Sequence, residues 1–102
     1  MNQSTITDTQ AARLAAMVLK LATTARTLDR PSDIEAADHQ ARGATLFAMT
    51  AGIIDSDAYL ALCNLSTDAR YQRSTELIFD QPPYTGAARA RARHSAALRA
   101  AA

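Results

Sequence analysis

Glu35 and His39 stand four residues apart with Asp38 between them, so a helix would bring an imidazole and two carboxylates onto neighbouring positions. Half a metal site has this look, but zinc and iron need three or four ligands, and the only other histidine is His94, far along the chain. The favoured reading is a pair of surface ion pairs, Glu35–His39 and Asp38–Arg42, both spaced i,i+4. Cys63 lies among leucines with no cation close in sequence, which suits a buried thiol better than a nucleophile. No Ser/His/Asp set assembles convincingly, because His94 sits on an arginine–alanine segment. Neither catalytic residues, a metal nor a cofactor is therefore expected, and the chain reads as non-catalytic.

Binding chemistry is better supplied. Residues 86–102 carry Arg89, Arg91, Arg93 and Arg99 and no acid, a charge of +4, whereas residues 1–85 carry −3. Four arginines without interleaved aromatics would give salt-sensitive, sequence-independent contact with nucleic acid, or contact with an acidic protein surface. Pro83 and Tyr84, in the loop Asp80–Gly86, form a second candidate: stiffened backbone with a tyrosine anchor. Ala48-x-x-x-Gly52 before a short helix is reminiscent of a DNA-binding helix-turn-helix. Asp55 and Asp57 would then meet phosphates, and residues 55–65 hold no Lys or Arg, so DNA readout by this segment is not expected.

These residues need elements to hold them. Of the apolar residues 24 are alanines, with one valine and no tryptophan, a composition that disfavours β-sandwiches and barrels. Three glycines exclude a glycine-rich nucleotide loop, and one cysteine excludes a disulfide framework. Thr7 to Gln10 reads as a capping box opening a helix over 8–28, with Ala11, Leu14, Val18, Leu21, Ala25 and Leu28 on its inner face. Asp29-Arg30-Pro31 breaks it. Ser32 to Glu35 reads as a second capping box for a helix over 33–51, ended by Gly52 in a left-handed turn. Asp55 caps a short helix to Leu65, and Ser66-Thr67-Asp68 restarts another to Ile78.

The spacing thus predicts an all-α fold: an antiparallel hairpin of two helices (8–28 and 33–51), two shorter helices and a basic helical or disordered tail. Residues 1–85 form one small domain and 86–102 the tail. The first helix is apolar over most of its circumference, which asks for burial on more than one side and predicts a homodimer or a protein partner. The longest apolar runs, Leu14–Leu19 and Ala58–Cys63, are too short to span a bilayer, and no secretory signal precedes them. A cytoplasmic protein is expected, of bacterial origin from its ten arginines to one lysine and its many alanines, with small phage or mobile-element inhibitors as the class it would fit. The functional expectation is an adaptor or inhibitor of a larger complex. A regulator that binds nucleic acid through the arginine tail is the alternative.

Overall fold

The computed structural model describes residues 3–83 and 98–99, with side chains described from residue 6 onward. Among the described residues three helices make the fold, α1 (Gln3–Ala25), α2 (Pro31–Thr50) and α3 (Ser56–Ile78), each packed against both others. No strand occurs among the described residues. The all-α expectation therefore holds, and the count of elements changes. The two shorter helices are one helix of 23 residues, about 34 Å long.

Ser66 and Thr67 fail to interrupt α3 because their hydroxyls are taken by α2. Ser66 Oγ donates to Asp38 Oδ1 at 2.7 Å, and Thr67 Oγ1 accepts from Arg42. A hydroxyl occupied across a helix interface no longer competes for its own backbone, which is how serine and threonine usually break a helix.

Both expected capping boxes are also corrected. Thr7 lies inside α1, which begins at Gln3. Helix α2 begins at Pro31, with Arg30 as its cap residue and no side-chain cap bond. Proline at the first helical position wins over Ser32 because its fixed φ is already helical and its missing amide belongs to the first turn. The Arg30 carbonyl takes the amides of Asp33 and Ile34 at 3.0 and 3.1 Å. Asp55 caps α3 as its sequence suggests, its side chain accepting from Ala58 N at 2.8 Å.

Small side chains fill the core. Val18, Ala22 and Ala25 of α1 are buried, as are Ile34, Ala41, Thr45 and Ala48 of α2 and Cys63 and Ala69 of α3. Alanine rows let helix axes approach closely. The expected inner row of α1 does face inward, while α2 turns Asp38 and Thr45 into its buried face beside Ile34, Ala41 and Ala48. Thr45 satisfies its hydroxyl on Ala41 O at 2.6 Å.

Many of the largest apolar side chains are outside. Phe47, Tyr71, Ile78 and Phe79 are each at least two-thirds exposed, and Leu19, Leu46 and Leu60 about half. Among the described residues no helix is long and apolar enough to cross a membrane.

Candidate functional site

Asp38 organises the interface between α2 and α3. Its side chain is 3% exposed and accepts from Ser66 Oγ at 2.7 Å, Arg70 Nη1 at 3.0 Å and Arg42 Nε at 3.2 Å. The i,i+4 pair with Arg42 is thus real, but its acid is buried rather than on the surface. Burial would push the Asp38 carboxyl up; the Ser66 hydroxyl and the Arg70 and Arg42 guanidinia outweigh it and hold it below the ordinary carboxylate value.

The two arginines are held by this buried acid yet remain partly in solvent, Arg70 at 37% and Arg42 at 48% exposure. They border an open cleft of about 340 Å³ lined by Asp38, His39, Arg42, Thr67, Arg70, Tyr71 and Ser74. Glu35 stands at its rim, 3.8 Å from both His39 Nε2 and Arg70 Nη2, beyond hydrogen-bonding range of either. The expected Glu35–His39 pair is therefore a loose surface contact, with both side chains more than half exposed. No group of three or more His, Cys, Asp or Glu side chains among the described residues is placed to hold a metal.

On each helix the residues that line this cleft belong to a longer row on the same face. On α3 the row Leu60, Asn64, Thr67, Tyr71, Ser74 and Ile78 alternates steps of four and three residues, and on α2 Glu35, His39, Arg42, Leu46 and Met49 do the same. Polar groups occupy the middle. Leu46 and Leu60 stand at the end near the connector 51–55, and Tyr71 and Ile78 extend the α3 row the other way.

A second ionic cluster fastens the connector between α1 and α2. Arg26 makes a fork to Glu76, at 2.8 and 3.0 Å. Arg73, buried, donates from Nε to Leu28 O at 2.6 Å and from Nη2 to Asp29 Oδ1 at 2.8 Å. Its Nη1 is buried without a hydrogen-bond acceptor among the described residues, 3.6 Å from Glu76 Oε1. The contacts to Arg26, Leu28 and Asp29 join α3 to the region where α1 ends and α2 begins, so this cluster holds α3 against that connector.

Of the residues expected to bind a partner, Pro83 and Arg99 are described, and neither lines this cleft. Pro83 is half-buried and Arg99 exposed; Tyr84, Arg89, Arg91 and Arg93 lie outside the described residues. Cys63 is buried, and its thiol pushes the phenol of Tyr59 up. Asp38, Ser66 and Arg70 were missed as a set because Asp38 comes from α2 and the other two from α3. Their signal was present: Asp38, Ala41, Thr45 and Ala48 share one α2 face, so a carboxylate sits in the same row as core alanines. No protein-family model matches the chain, nor does any curated protein or solved structure.

Proposed function

We propose that this chain is a small, non-catalytic protein–protein interaction module, an adaptor or inhibitor of a larger complex of bacterial or phage origin, acting in the cytoplasm. In this reading α1 and α2 form an antiparallel hairpin, α3 packs along it, and the α2–α3 groove is the docking face. One observation carries the reading: alanines, Val18, Ile34 and Thr45 are inside, while Tyr71 lines the cleft and Ile78, Leu46 and Leu60 stand exposed on the helix faces that continue it. Exposed aromatic and aliphatic side chains around a polar centre are the usual composition of a binding surface.

The test is capture from a nuclease-treated bacterial lysate by three full-length proteins: wild type, L60D/Y71D, and a form with Arg89, Arg91, Arg93 and Arg99 changed to Gln. Capture of one complex that survives nuclease and the arginine changes, and is lost in L60D/Y71D, supports the groove. Loss with nuclease or with the arginine changes favours instead the nucleic-acid reading, which rests on four arginines without an acid in residues 86–102.

A further inference from the structure

We infer that the occupant of the α2–α3 groove is an amphipathic helix of a partner protein, carrying a carboxylate at its centre and large apolar side chains about two turns to either side. The inference rests on the interaction reading above and adds the chemistry of the partner.

The carboxylate follows from the arginines. Arg42 spends Nε on Asp38 and Nη2 on Thr67, while Arg70 spends Nη1 on Asp38. Among the described residues the Arg42 Nη1 and the Arg70 Nε and Nη2 make no hydrogen bond, although Glu35 stands 3.8 Å from Arg70 Nη2. Asp38 lies beneath both guanidinia, its charge already answered by three donors, so the edges turned to the cleft remain cationic. An incoming carboxylate at about 2.8 Å would make the charge-assisted bonds that Glu35 leaves unmade. Because the buried acid fixes both guanidinia beforehand, little side-chain freedom is lost when they bind.

The helix follows from the rows. Steps of four and three residues on both walls repeat at the spacing with which helices interlock, and two helices with an open groove accept a further helix. From Leu60 to Ile78 the α3 row is about 27 Å long, five turns of an α-helix. Arg70 lies between these two apolar residues, which places the partner's acid near its middle.

The test titrates the full chain with a synthetic 21-residue alanine-based helix bearing one central Glu and a Leu seven residues before and after it. The control peptide has Gln at the centre, and inorganic phosphate is a third probe. The readout is the set of arginine Nε–Hε resonances. Expected is saturable movement of the Arg42 and Arg70 signals with Arg13 and Arg30 unmoved, and binding at least about tenfold weaker for the Gln peptide and for R70Q. R42Q, in which Arg70 still answers Asp38, guards against a folding defect and is expected to weaken binding as well. Equal binding of the Glu and Gln peptides overturns the inference. So does movement spread over all arginines, or phosphate moving the two signals more than the peptide does. Failure to respond while light scattering finds a dimer overturns it in favour of a second copy. Should the peptide fail while lysate capture still depends on Leu60 and Tyr71, the interaction reading stands and only the acidic helix falls.

Discussion

Asp38 is an acid in a row of alanines, and its burial makes its charge a condition of folding. Changing it to Asn keeps the shape but leaves Arg70 and Arg42 facing a neutral amide. Breaking a fully buried pair costs about 3–5 kcal/mol; here both cations can recover hydration, so D38N is expected to cost about 1–2 kcal/mol at pH 7. The sign with pH follows from a carboxyl held below its ordinary value. Its contribution is complete above the unfolded-state value and disappears as pH falls through the folded-state value. Urea unfolding should therefore show a constant gap between wild type and D38N from pH 7 to about pH 5, closing below about pH 4. A gap that widens toward acid would remove Asp38 from this role. Arg73, 2% exposed, is the other costly residue. Methionine in its place leaves the Leu28 carbonyl and Asp29 without their donor. We expect a loss of about 3 kcal/mol by urea unfolding, with the Arg26–Glu76 fork still limiting the damage.

At the scale of elements, α2 and α3 end in the same way with different residues. After α2, Gly52 has φ 77°, its amide meets Met49 O at 3.1 Å and the Ile53 amide meets Ala48 O at 2.9 Å. After α3, Asp80 has φ 53°, with the Asp80 amide on Leu77 O at 3.3 Å and the Gln81 amide on Glu76 O at 2.7 Å. Both are Schellman motifs, whose left-handed position glycine occupies without strain. G52A meets no steric obstacle, since nothing lies within 4 Å of an added Cβ. Its expected cost of about 1 kcal/mol is backbone strain alone. D80G relieves the same strain and should raise stability by up to about 1 kcal/mol. Thermal unfolding of the pair checks both, and changes of the same sign would refute the assignment.

The elements differ in how openly the sequence announced them. Gly52 and Pro31 each impose a backbone state, so the end of α2 and the break before it were legible. Ser66 and Thr67 misled because whether a hydroxyl caps a helix or crosses to a neighbour depends on what lies opposite. That information sits 28 residues away, at Asp38, for Ser66. The groove was hidden for the same reason: its α3 row was divided between two supposed helices. The tail arginines drew attention by charge alone, whereas Arg42 and Arg70 looked like ordinary surface cations until Asp38 was seen between them.

The whole molecule inverts the expectation that its largest apolar residues hold it together. Removing atoms from the small interior should be costly, because no large neighbour can move in to fill the gap. I34A, at a residue 1% exposed, is expected to lose about 2–4 kcal/mol. L60A, Y71A and I78A remove side chains that are 55%, 72% and 77% exposed, and in the free chain each should stay within about 0.5 kcal/mol of wild type. Thermal unfolding over a hundredfold range of protein concentration decides what those side chains do in the absence of a partner. A melting temperature independent of concentration, with the three variants neutral, means that a monomer carries an uncovered groove ready for another protein. If the melting temperature rises with concentration and the three variants abolish that rise, two copies cover each other's grooves, because only binding to the native state couples stability to concentration. A partner would then have to displace a copy, and the module would act as a switch between homodimer and complex.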